Sequence, residues 1–227
     1  MTANVSTGSC ELGRSRNPSS SWLPYQAVRY HLCCNDQPGG CMNLKHLEPQ
    51  ALLALYAEVL GELRTRGITR STNNPVADYA EMLVATSLSL NLTSKSTKGH
   101  DAVGADECHY EIKARRVTEH NGSRQLSALR KLDERHFAFL AGVLFRENFT
   151  VWKGCLIPHE VVIKKSTYRA HTNAWIFHLT DDIWSIDGVV DISAQLVTAE
   201  SEIGSRAFPQ GSDCTSANTA PSYSRKP

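Results

Sequence analysis

The chain has 227 residues, 41% of them hydrophobic and 21% charged, with a formal net charge of +1. These proportions are those of a globular protein with a core of ordinary size, and no apolar run approaches the roughly 18 residues that a membrane span needs. A net charge so near zero excludes a whole-chain electrostatic case for nucleic acid, so any such case has to rest on local clusters.

Residues 1–45 are rich in Ser, Asn, Gly and Pro, as in Ser19-Ser20-Ser21 and Pro38-Gly39-Gly40, and carry no hydrophobic period. They are expected to form an irregular or disordered arm, and Met42 offers an alternative start. Four of the seven cysteines fall in this arm (Cys10, Cys33, Cys34 and Cys41), and Cys108, Cys155 and Cys214 follow. With no basic segment leading into an apolar one at the N-terminus, reduced thiols in the cytoplasm are expected. His31 with Cys33, Cys34 and Cys41 lacks the CxxC spacing of a zinc site. The folded unit is expected over residues 46–198, with a disordered tail over 199–227.

Within that unit, Leu52, Leu55, Tyr56, Val59, Leu60 and Leu63 predict an amphipathic helix from Glu48 to Arg66, stopped by Gly67. Its stripe is a packing face or the seam of a homodimer. Asn73-Asn74-Pro75 then caps a second helix whose apolar face is Val76, Ala80, Leu83, Val84 and Leu88. At 100° per residue Glu81 falls at the edge of that face, where an acid serves either solvation or a metal.

The stretch from Gly99 to Arg116 carries the chemistry. Tyr110, Ile112 and Ala114 alternate with Glu111, Lys113 and Arg115, a period of two that predicts a strand with unlike faces. Glu111 and Lys113 then project the same way, roughly 6–7 Å apart. Gly104 to Glu107 reads as a hairpin turn that folds Asp101 back toward Glu111. Carboxylates gathered in this way repel unless a cation settles among them. Mg²⁺, with Mn²⁺ as substitute, suits oxygen ligands from Asp101, Glu111 and Glu81, completed by the Ile112 carbonyl. Lys98, Arg115, Arg116 and Arg124 surround the stretch in sequence, as do Lys95, Arg130 and Lys131. Such a cluster fits the phosphates of DNA.

Downstream, Ser123 is expected to cap a helix with Leu126, Leu129 and Leu132 inward and Arg124, Arg130, Lys131 and Arg135 outward. Phe137–Phe145 and Phe149–Ile157 read as adjacent antiparallel strands, the first central. A short helix follows from Pro158 to Lys165, then a strand over Trp175–Leu179 and a last short helix over Asp191–Val197. The sum is an α/β domain with a central mixed sheet flanked by helices.

An acid-bearing helix, a strand with Asp, a strand with Glu-x-Lys, a helix and another strand, in that order, resemble the PD-(D/E)XK nuclease superfamily over about residues 74–157. The matching positions are Glu81, Asp101 and Glu111-Ile112-Lys113, with Gln125 at a polar position of the following helix; His100 stands where the pattern has proline. Residues 47–197 are also similar to an uncharacterised bacterial domain family, through Gly99-His100-Asp101-Ala102, Ile112-Lys113-Ala114-Arg115-Arg116, Ser123-Arg124-Gln125-Leu126-Ser127 and Ile157-Pro158-His159-Glu160-Val161-Val162. The superfamily resemblance implies a restriction-endonuclease-like core and a Mg²⁺-dependent endonuclease acting on DNA, in restriction or defence. Its catalytic residues would be Asp101, Glu111, Lys113 and Glu81. The alternative is a non-catalytic module of the same fold that binds nucleic acid or protein. Glu-x-Lys by itself equally describes a charged surface strand.

Overall fold

The computed structural model describes residues 43–94 and 99–206. The arm expected over 1–45 lies outside the described residues except for 43–45, and the tail expected over 199–227 except for 199–206, which are helical and not disordered; Cys10, Cys33, Cys34, Cys41 and Cys214 and both Lys95 and Lys98 also lie outside them. The chain divides into two compact units, Met1–Glu48 and Pro49–Pro227. The described part of the first is a single 3-10 turn, Leu44–His46, capped where Asn43 accepts the Lys45 amide at 3.1 Å.

The second unit opens with α1 (Pro49–Thr65), which ends at Gly67 in the left-handed region (φ +70°), where glycine pays no Cβ penalty. Its apolar stripe is less buried than the periodicity implies. Leu60 is buried, while Leu52, Leu53, Tyr56 and Val59 stay exposed. The second helix, α2 (Val76–Leu88), begins after Pro75, with the Val76 amide donating to the Asn74 side chain at 3.1 Å. Ala80, Leu83 and Val84 are fully buried.

Six strands form the main sheet: β1 (Asn91–Leu92), β2 (Ala102–Val103), β3 (His109–Arg116), β4 (Phe139–Phe145), β5 (Val151–Pro158) and, at the far edge, β8 (Val190–Asp191). β3 and β4 run parallel and every other neighbouring pair is antiparallel. The sheet is therefore mixed, and the domain is α/β. A separate two-stranded sheet pairs β6 (Thr167–Arg169) with β7 (Ala174–Ile176).

β4 reads as an unbroken apolar run because both of its faces are covered. On one face Ala141, Val143 and Phe145 join Ile112, α2 and the last helix, α4 (Ser193–Arg206). On the other, Leu140 and Leu144 meet Phe177, Leu179, Ile183 and Val162 of α3 (His159–Lys165). α4 runs well beyond the expected stop at Val197, since Ala199 and Ile203 continue its buried stripe. Among the described residues no helix is long and apolar enough to cross a membrane.

The helix expected from Ser123 is absent. Residues 124–129 are extended instead: Leu126 donates to the Phe177 carbonyl at 3.0 Å, Leu129 exchanges hydrogen bonds with Trp175, and Leu179 donates to Arg124 at 3.0 Å. A 3-10 turn, Leu132–Glu134, follows, flanked by left-handed Lys131 and Arg135. Leu126, Leu129 and Leu132 do point inward, each with no more than 2% exposure. Their strict spacing of three suits an extended segment of three residues per turn as well as a helix, and bonding to the 174–179 segment decides between them.

Gly154 lets α4 approach β5. A Cβ there would stand 2.3 Å from the Leu196 side chain and 3.3 Å from the Gly142 carbonyl, and Leu196 is fully buried. Gly154→Ala is expected to cost about 1–3 kcal/mol by overpacking, read as a lower urea midpoint at unchanged slope; an unchanged midpoint would show that α4 shifts without cost.

Candidate functional site

β2 is two residues long and pairs only with His109 and Tyr110 of β3. Beyond that point β3 continues with β4 on one side, and its other edge opens into a cleft of about 490 Å³ lined by Ile112 through Arg116 and by Glu81. Asp101 sits one residue before β2, where the hairpin ends. Its amide donates to the Tyr110 carbonyl at 2.8 Å, and its Oδ2 accepts the Ile112 amide at 2.8 Å. The expected hairpin thus brings Asp101 to the Glu111 strand, with the turn at Gly104 to Glu107 closed by Gly104 donating to Cys108.

Glu111 and Lys113 share the face that the alternation predicts. The Lys113 ammonium bonds Glu111 Oε1 and lies 3.9 Å from Asp101 Oδ2. In an extended strand a residue's N–H and C=O leave on the same side, so the Ile112 carbonyl faces the same edge as its Asp101-bound amide. Glu81 reaches the site from α2, and its side chain is 13% exposed. Asp101, Glu111, Lys113 and Glu81 therefore stand together, Lys113 and Glu81 in the lining of the cleft and Asp101 and Glu111 just outside it.

Their electrostatics show how close they are. Burial raises the Glu111 pKa, Lys113 opposes the rise, and Asp101 and Glu81 add to it. Glu81 is likewise raised, first by burial, with Arg70 lowering it and Asp101 raising it. Burial works to lower Lys113, but Glu111 and Asp101 outweigh it and hold the ammonium above the ordinary lysine value.

Arg70 is the residue that sequence reasoning missed. Its guanidinium bonds Glu81 and donates to the Thr93 carbonyl at 2.6 Å. Its backbone amide is held by Asp78, which is buried and also accepts from the amide and hydroxyl of Ser71. The one signal for it was a lone cation in the otherwise uncharged loop Thr69–Pro75 that feeds the acid-bearing helix. Asn74, Thr118, Asn121 and Ser127 also line the cleft, none of them expected there from the sequence.

The basic residues divide. Arg115 and Arg116 line the cleft; Arg115 donates to the Ser123 carbonyl at 3.2 Å, and Arg116 lies over the Phe149 ring at 4.5 Å. Arg124 and Gln125 are not part of its lining. Arg124 stacks on Trp152 at 4.4 Å and pairs with Asp181 at 2.9 Å, while Gln125 bridges to His178 through the backbone. Both departures follow from the extended course of residues 124–129. Lys98 lies outside the described residues.

Among the described residues no group of three or more His, Cys, Asp or Glu is placed to hold a metal ion as it stands. The cations on the acids are the chain's own: Lys113 between Glu111 and Asp101, and Arg70 on Glu81. The donor set nevertheless has hard-cation chemistry, since Glu111 and Glu81 are raised first by burial and further by the neighbouring Asp101 carboxylate. No protein-family model matches the chain, and no curated protein matches it significantly.

Because the folded pKa of Lys113 lies above the ordinary 10.5, its pairing adds stability that is fully present below pH 10.5 and lost as pH rises through the folded value. Lys113→Met is expected to lower stability at pH 7 by about 1–3 kcal/mol, less than for a fully buried pair. The gap to wild type should close above pH 10.5 in paired urea titrations. A gap constant from pH 7 to 11 would show that the ammonium is not held by these acids.

Proposed function

We propose that this protein is a Mg²⁺-dependent nuclease that hydrolyses phosphodiester bonds in DNA, with the organisation of the PD-(D/E)XK superfamily and a role in cytoplasmic restriction or defence. One observation carries the reading: Lys113 stands between Glu111 and Asp101 at the point where β3 loses its partner strand and opens into a cleft. An acid pair with an ammonium at an open strand edge is what the Asp…Glu-x-Lys pattern requires in space.

Asp101, Glu111, Glu81 and the Ile112 carbonyl would hold the ion, which would supply Lewis-acid stabilisation of phosphate charge and a more acidic bound water. Everything else falls to the chain. Arg115 and Arg116 grip phosphates along the cleft without reading bases. Asp101 is oriented by the Ile112 amide, so its carboxylate does not swing when a polyanion arrives. Lys113 is a cation at neutral pH and cannot serve as a base there. Its role is to orient the attacking water and to counter the negative charge that builds on the phosphoryl oxygens as the water oxygen bonds phosphorus and the leaving oxygen departs. The proton that the attacking water sheds would pass to solvent.

Plasmid DNA in Mg²⁺ should be nicked or cut by wild type, and Asp101→Ala, Glu111→Ala and Lys113→Ala should each lower the rate by about 10²–10³-fold in variants that melt cooperatively. Cleavage that survives all three sinks the assignment. Binding without cleavage in any metal would instead make the protein a nucleic-acid-binding module.

For the cleft cations, fluorescence anisotropy on a duplex with the Asp101→Ala variant should show affinity falling with salt. Replacing Arg115 and Arg116 together by Ala should reduce the log–log slope by about 2, near 0.9 for each phosphate no longer neutralised. An unchanged slope would remove both residues from the DNA path.

A further inference from the structure

Arg70 is lodged in an unusual way. Its guanidinium joins α2 to the chain just after β1 by bonding Glu81 and donating to the Thr93 carbonyl. Its Nε is buried with no hydrogen-bond partner among the described residues. A buried donor left unpaired costs free energy, so the guanidinium is held at Glu81 against a standing penalty. Thr93, in turn, donates its amide and its hydroxyl to the Asp101 carbonyl, at 2.9 and 3.0 Å. Arg70 therefore touches one acid of the candidate site directly and reaches the backbone of another through a single residue.

We propose that Arg70 is the internal counter-cation of these acids, a latch on Glu81 Oε2 whose like charge weakens the binding of a divalent ion. The inference rests on the reading of Asp101, Glu111 and Glu81 as a cation site. The guanidinium takes only Oε2 of Glu81, so an ion on the other oxygen would still face a like charge at close range. Lys113 differs in kind. It sits between Glu111 and Asp101 on the same strand as Glu111, and its ammonium is held by those acids alone among the described residues. Arg70 is tied also by the Thr93 carbonyl and by its own backbone amide on Asp78. Release of Glu81 thus leaves Arg70 attached at Thr93, and the latch can close again. Arg70 is a positioning residue in this scheme, because it acts on the acids and not on the reacting atoms.

Calorimetric titration of the full chain with Mn²⁺ alone tests the latch. Wild type should bind weakly. Arg70→Gln, which removes the charge but keeps a hydrogen-bonding side chain, should bind roughly tenfold more tightly, since a like charge beside the ion is gone. Arg70→Lys keeps the charge and should bind about as wild type does, and it serves as the check if Arg70→Gln melts early. Glu81→Gln should bind more weakly, and adding Arg70→Gln to it should change nothing further. A merely structural Arg70 predicts the opposite sign, because loosening Glu81 and Thr93 would weaken Mn²⁺ binding. Equal or weaker binding by a folded Arg70→Gln therefore overturns the latch while leaving the cation site standing. No Mn²⁺ binding by wild type or by Arg70→Gln overturns the cation site, and the latch with it.

Discussion

The cleft depends on one hydrogen bond, from the Ile112 amide to the Asp101 carboxylate at 2.8 Å. Strand β2 ends its pairing two residues earlier, at Tyr110, so without this bond the next amide of β3 would meet no backbone acceptor on that side. A carboxylate takes the place of a carbonyl in the ladder, and the sheet turns from a scaffold into a site at that residue. The Lys113 ammonium can then lie near Asp101 because Glu111, on the same face, already holds it. The Asp101 carbonyl is pinned by Thr93, Thr93 by Arg70, and Arg70 by Glu81. Polar contacts thereby tie the segments around Arg70, Glu81, Thr93 and Asp101 to one strand end, while Ile112 fills the core behind it at 4% exposure.

The features legible from sequence are those in which local pattern and tertiary environment agree. Tyr110 to Arg115 alternates because β3 has one face against the α2–α4 core and one toward polar groups. Phe139 to Phe145 is uniformly apolar because β4 is central. The hairpin was readable from Gly104 to Glu107, since turn residues between two short strands leave few other folds. Where pattern alone is ambiguous, the reading failed. Leu126, Leu129 and Leu132 at spacing three fit two secondary structures, and only the distant residues Trp175 and Phe177, which offer their backbones, select the extended one. That single misassignment moved Arg124 and Gln125 out of the cleft.

Arg70 was illegible for a different reason. A loop has no period, so a loop residue's role is set wholly by where the chain returns, here by α2 and the segment after β1 closing over it. The exposed Leu52, Leu53, Tyr56 and Val59 of α1 show the converse. A period of 3.6 establishes a helix, but it does not say what the stripe meets.

The charge distribution explains why composition was a poor guide to the site. The whole chain is near neutral, yet Asp101, Glu111 and Glu81 converge with Lys113 and Arg70 in one partly buried place. Glu111 and Glu81 are destabilised by burial and by their acidic neighbours, and each cation offsets part of that cost. The two cations are not equivalent, however. The acids hold Lys113 protonated, so its charge is present in the cleft lining. Arg70 is tied to Glu81 and to the Thr93 carbonyl, whereas Lys113 lines the cleft. Under the proposed nuclease reading, a strand lysine facing the cleft and a loop arginine tethered to a carboxylate would divide two tasks that a single cation could not perform together: answering charge on a substrate, and balancing the acids before one arrives.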